Sequence, residues 1–294
     1  MNKLYALGPG EYRTYLWDAP HPALFEGGVA FAGRIYVEAV RSVLGRRQPQ
    51  WLFLTHAHWD HCGAAAYLKE AFPDMKIAAS PRAVQILKRP NALKLIAQLN
   101  QEAGEEVRLS PDFAGLPLTD RPFRSFAVDV EIDDGQVLEL GKGFAVEALA
   151  TPGHTRDHLS YYLPHQKILM VGETAGILRQ TGELSCGFVS DYEAYLSSLR
   201  RLASLPVEML CQGHLLAVVG RAEVKAFFDR SIDETLRFRD TIYRLLDEEA
   251  GSIDGVVRRM KSRYYDSLPM PKQPEAPYLI NATAQVTHLA AKKL

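Results

Sequence analysis

Cysteine is scarce in this 294-residue chain. Cys62, Cys186 and Cys211 are odd in number, far apart and without a CxxC pair. They read as reduced thiols of a cytosolic protein, not as a disulfide framework. Long apolar runs are also missing: no stretch reaches about 18 residues, so no bilayer-spanning segment is expected. The opening MNKLYALGPGEYRTYLWDAP lacks a basic region followed by an apolar core. No secretory signal is expected there, and the expected location is cytoplasmic. Excess charge of either sign is absent, with 34 Lys and Arg against 35 Asp and Glu. No global field therefore favours nucleic acid or an anionic membrane, which weighs against a nuclease. There is no internal repeat or low-complexity segment, and no GxSxG elbow that would announce a serine nucleophile.

The chain is 47% hydrophobic and 23% charged, enough to build a sizeable core in one large or two ordinary domains. YRTYLW and ALFEGG predict two early strands with a turn between them. Helical spacing covers residues 33–45, and WLFLT (51–55) is a short, continuous apolar strand of the kind buried on both faces. GAAAYLKEAF predicts a helix and MKIAAS a strand. Ser80-Pro81 predicts a helix start, continuing over 82–104 with a break near Pro90-Asn91. Strands and turns follow over 126–172, then an amphipathic helix from Ser190 or Asp191, then the strand VEMLC. After Gly220 the pattern is helical almost to the end, with an apolar stripe of Ile253, Val256, Val257 and Met260 beside Arg258, Arg259, Lys261 and Arg263.

The strongest chemical signal is WLFLTHAHWDHCG, in which His56, His58, Asp60 and His61 follow an apolar strand directly. Alternate residues of an extended chain share a side. His56, His58 and Asp60 can therefore converge if the strand conformation persists, with His61 entering from the next turn. Imidazoles and a carboxylate suit a borderline metal such as zinc, and a metal is a natural reason to gather ionisable groups at a buried strand end. His154 in VEALATPGHTRDH, Glu173 in KILMVGETAGIL and His214 in VEMLCQGHLL stand in the same position relative to three further strands. Ligands gathered at one end of a sheet are what a metallohydrolase site needs.

THAHWDH, TPGHT, VGET and QGH, in that order, resemble the successive metal-binding motifs of the metallo-β-lactamase fold superfamily over roughly residues 10–220. The resemblance implies an α/β fold, an αββα sandwich of two mixed sheets with the metals at one edge. Residues 1–220 would form the catalytic domain, and 221–294 a helical extension covering the pocket. By position, His56, His58 and His154 would hold one metal, and Asp60, His61 and His214 another. Glu173 would bridge them where most of the superfamily carries aspartate. Some antibiotic-degrading members do without a carboxylate bridge. His21, His165 and His288 match no ligand position, and His158 is a candidate for support or simple packing.

The function expected on this resemblance is metal-assisted hydrolysis of a small thioester, ester or lactone. It would use two divalent ions, zinc foremost, with iron or manganese as alternatives, and Asp60 would orient the metal-bound hydroxide. Two other readings stay open: an iron-dependent redox enzyme of the same fold, and a weakly catalytic metal-binding regulator. A phosphodiesterase is less favoured. The expected partner is a small-molecule substrate, not nucleic acid or membrane, and a homodimer is left open. The basic tail helix reads as a solvated face before it reads as a coenzyme A phosphate contact.

Overall fold

The computed structural model describes residues 3–179, 182–214, 217–268 and 272–293. Among these, two six-stranded sheets lie face to face. The first consists of β1 (Lys3–Leu7), β2 (Thr14–Asp18), β3 (Ala23–Phe25), β4 (Trp51–Phe53), β5 (Lys76–Ala79) and β6 (Val130–Glu131), paired in sequence order. Its early strands are antiparallel, and β3 to β6 run parallel. The second sheet has the order β14-β13-β10-β9-β8-β7. These strands are β7 (Val137–Gly141), β8 (Phe144–Ala150), β9 (Leu159–Leu163), β10 (Ile168–Gly172), β13 (Met209–Gln212) and β14 (Ala217–Val219). A small hairpin, β11 (Ile177–Leu178) with β12 (Leu184–Ser185), projects from the end of β10.

Helices cover both outer faces. α1 (Gly33–Leu44), α3 (Ala65–Ala71) and α5 (Pro90–Val107) pack in the core of the first sheet, which also carries the short α2 (Trp59–Cys62) and α4 (Pro81–Ile86). α6 (Tyr192–Ala203), α7 (Arg221–Glu248), α8 (Ile253–Tyr264) and α9 (Glu275–Lys293) cover the second. The αββα layering follows from the burial pattern: β10 is buried at every position, so it needs a hydrophobic partner on each side. Between the sheets, Phe25 stacks on Phe53 at 5.2 Å, and the Tyr161 ring meets Phe53 at 5.1 Å. Cross-sheet hydrogen bonds fix the end that matters. Tyr161 Oη donates to the Leu54 carbonyl at 2.7 Å, the Leu159 N–H to Thr55 O at 2.8 Å, and Tyr15 Oη to Gln212 O at 2.8 Å. The loops leaving β4 and β13 and the loop entering β9 therefore meet on a common, clamped platform.

The structure departs from the sequence expectations in several places. β1 is absent from them, because an edge strand that is half exposed carries little apolar pattern. β4 ends at Phe53, not Thr55. The break expected near Pro90-Asn91 is present, with Ser80 Oγ capping α4 by accepting the Ala83 N–H and α5 starting at Pro90, but α5 runs on past 104 to Val107. The C-terminal helical stretch is divided after α7, where Ala250 and Gly251 adopt φ of 49° and 81°. Val256, Val257 and Met260 are buried as the stripe predicts. Of the basic residues beside them, Arg259 pairs with Glu248 at 2.5 Å and Lys261 with Asp266 at 2.7 Å, while Arg263 lies over the Tyr264 ring. No helix of the described residues is long and apolar enough to cross a membrane.

Candidate metal centre

Two groups of side chains face each other at the clamped end of the sheets. His56, His58, His154 and Glu173 form one, Asp60, His61 and His214 the other, and within each the candidate ligand atoms all lie within 4.8 Å of one another. The expected alternation holds only through His58, whose backbone is still extended at φ −73°, ψ 153°. Asp60 is not carried by a continued strand. It rides on the first turn of α2, and that turn swings it toward His61 and His214 and away from His56.

The ring nitrogens are presented by partners behind them. His154 Nδ1 donates to Gly187 O at 2.5 Å, and His214 Nδ1 to Glu11 O at 2.9 Å. Each turns Nε2 inward. Glu26, buried at the end of β3 with φ 72°, places Oε2 3.2 Å from His61 Nδ1. Its carboxylate also receives the Thr55 hydroxyl proton, at 2.8 and 3.0 Å. With that proton committed, Thr55 Oγ1 can only accept from His56 Nδ1 at 2.9 Å, so His56 too turns Nε2 inward. His58 differs, facing the cluster through Nδ1, 3.1 Å from His154 Nε2.

Glu173 lies between the groups. Its Oε2 is 2.6 Å from His154 Nε2, 3.5 Å from His56 Nε2 and 3.7 Å from His61 Nε2, while Oε1 is 3.4 Å from His214 Nε2. Burial alone would raise its pKa, but the surrounding histidines, His154 first, hold it well below the usual carboxylate range. The turn that delivers it requires Gly172 at φ 56°, where a Cβ would come 2.4 Å from His158 Nε2. His158 is itself buried and accepts the Glu173 backbone N–H at 3.2 Å, with Nδ1 shared between Thr151 and Thr174. It supports the Glu173 turn from behind. His288 accepts the Tyr192 N–H on α6, and His21 pairs with Gln50 at the surface, so neither joins the cluster.

The donor set fits divalent metal. Nε2 of His56 and of His61 are buried with no hydrogen-bond partner among the described residues, a costly state that ligation would relieve. Imidazole nitrogens and carboxylates around an anionic Glu173 are the chemistry zinc and its neighbours take.

Residues 17–214, about two thirds of the chain, match the metallo-beta-lactamase superfamily. The chain belongs to that superfamily. Over 210 residues it is 27% identical to atrochrysone carboxyl ACP thioesterase of Aspergillus fumigatus, covering 71% of this chain and 49% of the relative. Over 158 residues it is 30% identical to hydroxyacylglutathione hydrolase of Mesorhizobium japonicum, covering 54% and 45%. The chain thus spans about half the length of these two relatives. A metallo-beta-lactamase family protein of Thermus thermophilus has the same fold, with a TM-score of 0.69 at 16% identity over 99% of this chain and 93% of that one.

Within this superfamily frame, Glu26 is the site residue missing from the sequence expectations. Its signal is present, an acid closing the apolar strand ALF before Gly-Gly, the same pattern that exposes Glu173. The centre forms the floor of a cavity of about 330 Å³, at the lower end of the range for small-molecule sites.

Protons compete with metal for these nitrogens. Burial lowers the pKa of His214, but Glu173 and Asp60 outweigh it and push it up to about 10. Against the same burial, Glu26 raises that of His61 and Glu173 that of His154, while burial and the neighbouring imidazoles push His56 well down. The metal-free site is therefore protonated at pH 7, at His214 above all. Ligation requires the lone pair, so metal binding must release protons, and affinity rises with pH until these histidines have lost them. Calorimetric metal titration at pH 7 in buffers of different ionisation enthalpy is expected to show release of at least one proton. Buffer-independent heats would refute this.

Proposed function

We propose that the chain is a metal-dependent hydrolase that opens a small thioester, ester or lactone, using two divalent ions held by His56, His58 and His154 on one side and Asp60, His61 and His214 on the other. The observation that carries this reading is the ionised Glu173 carboxylate reaching both ligand groups on a cavity floor. Metal bound there would lower the pKa of a water toward neutrality and polarise a carbonyl. The protein's part is positioning and proton handling. Asp60 lines the cavity with Oδ2 3.5 Å from His214 Nε2, placed to orient a nucleophilic water through a hydrogen bond and to hold its proton. Hydrogen bonds behind His56, His154 and His214, and the Glu26 carboxylate 3.2 Å behind His61, keep these rings from reorienting as charge develops. Two relatives named as a thioesterase and as a hydroxyacylglutathione hydrolase favour thioesters within the class.

Elemental analysis of protein purified without added metal, followed by a panel of thioesters, lactones and phosphodiesters, tests the reading. Turnover of a thioester or lactone is expected, abolished by a chelator and restored by zinc. Absence of turnover on every class with two metals confirmed would overturn it.

A further inference from the structure

The cavity has two unlike walls. From α5, α8 and α9 it is lined by Leu95, Leu99, Met260, Tyr264, Tyr278 and Ile280, with no acidic or basic side chain from these three helices. The wall built from the β11–β12 hairpin and α7 carries the charged Arg179, Glu183, Arg230 and Glu234 beside Ile177, Leu184 and Phe238. Arg230 ties that wall together by donating to Gly182 O at 2.5 Å. The polar side chains on the α5, α8 and α9 side are Tyr264, Tyr278, Asn281 and Gln285, of which Gln285 Nε2 is committed to Phe188 O at 2.5 Å. Two large hydrophobic side chains of that side remain open to solvent, Leu95 at 43% and Ile280 at 47% exposure. Apolar surface left wet at the rim of a concave site marks where a ligand is to cover it.

We propose that the acyl side of the substrate is a hydrocarbon group seated between α5 and the α8–α9 pair, with a polar leaving group along the hairpin and α7. This rests on the hydrolase reading above and narrows it. The reaction is R–CO–SR′ plus water giving R–COO⁻, a proton and R′–SH. The C–S bond breaks, a C–O bond forms, and the sulfur leaves with a proton. A hydroxylated acyl group would have to give up water against Leu95, Leu99, Met260 and Ile280, which offer no hydrogen bond in return, so it is selected against.

The test uses the metal-loaded full chain and thioesters of a single thiol, N-acetylcysteamine, bearing acetyl, butyryl, hexanoyl, phenylacetyl or lactoyl groups. Burial of one methylene corresponds to about a fourfold gain. From acetyl to hexanoyl, kcat/KM is therefore expected to rise on the order of 100-fold. Phenylacetyl should be favoured over lactoyl. Ile280→Asp, at an exposed rim position that folding tolerates, should flatten the chain-length dependence. Turnover that is indifferent to chain length, or best with lactoyl, would overturn the proposal while leaving the hydrolase reading intact. If no thioester turns over, the thioester part of the hydrolase reading fails, and binding of non-hydrolysable hexanoyl and lactoyl thioether analogues decides the cavity's preference separately. Tighter hexanoyl binding supports it, and equal or weaker binding overturns it.

Discussion

Glu173→Asp is expected to weaken metal binding, even though aspartate is the residue that the resemblance to the superfamily leads one to expect there. Glu173 Oε2 stands 2.6 Å from His154 Nε2 and Oε1 3.4 Å from His214 Nε2, so the glutamate already reaches both ligand groups from where β10 ends. Removing one methylene withdraws the carboxylate by about 1.5 Å, while metal–oxygen bonds tolerate about 0.2 Å. The backbone cannot follow. Gly172 is wedged against His158, which holds the Glu173 N–H, and the Tyr195 hydroxyl holds the Glu173 carbonyl at 3.3 Å. Glu173→Ala removes the anion altogether and should cost more. Breaking a buried charge pair is worth about 3–5 kcal/mol, or roughly two to four powers of ten in affinity. Competition with a chelator of known affinity, together with metal counts per chain, measures both variants. Wild-type affinity and stoichiometry in Glu173→Ala would show that the carboxylate is not a ligand. In the metal-free variant the His154 and His214 pKa values should fall, because Glu173 is the carboxylate that raises them most, and histidine proton shifts followed against pH would report this.

How much of this centre can be read in advance depends on whether its parts are local. The histidines of THAHWDH, TPGH and QGH are legible because an apolar strand can be recognised over a few residues, and a polar residue ending it has nowhere to go except the sheet edge. Glu173 is legible for the same reason. The phase of Asp60 is not, because it turns on β4 stopping at Phe53 and α2 starting at Trp59, and strand ends are set by tertiary hydrogen bonds such as Tyr161 to Leu54. The helices after Gly220 show their apolar faces in the sequence, but periodicity does not say which side of α9 meets α8 and which meets the cavity. Met260 illustrates this: it belongs to the predicted stripe and is buried in the helical core, yet it also lines the cavity above the candidate metal centre. Glu26 is hidden by distance along the chain, since its partners Thr55 and His61 lie beyond α1 and β4.

That hidden residue supports the second large effect, expected for Glu26→Gln. The change keeps the shape of the side chain but replaces a pure acceptor by a group with one donor end. Glu26 now accepts from Thr55 and faces His61 Nδ1, and Thr55 accepts in turn from His56 Nδ1. If the amide nitrogen turns toward His61, Nδ1 must accept, and the ring proton moves to Nε2, the atom that points into the centre. If it turns toward Thr55, the amide oxygen takes the place of Oε2, 3.0 Å from the Thr55 hydroxyl and 3.2 Å from His61 Nδ1, so both donors keep an acceptor and His61 loses only the negative charge behind it. Either orientation weakens His61, by tautomer or by lost charge, although that histidine is unchanged. Replacing partners behind metal-binding histidines costs about 10–100-fold in metal affinity or activity. Glu26→Gln is expected to lose that much in metal affinity while remaining folded. A structural role alone would lower stability and leave the imidazoles as they were, so ring nitrogen shifts of His56 and His61 separate the two. With the amide nitrogen toward His61, that ring should carry its proton on Nε2 in the metal-free variant. Both rings protonated at Nδ1, with wild-type metal affinity, would show that the carboxylate behind them does not set how they face the metal.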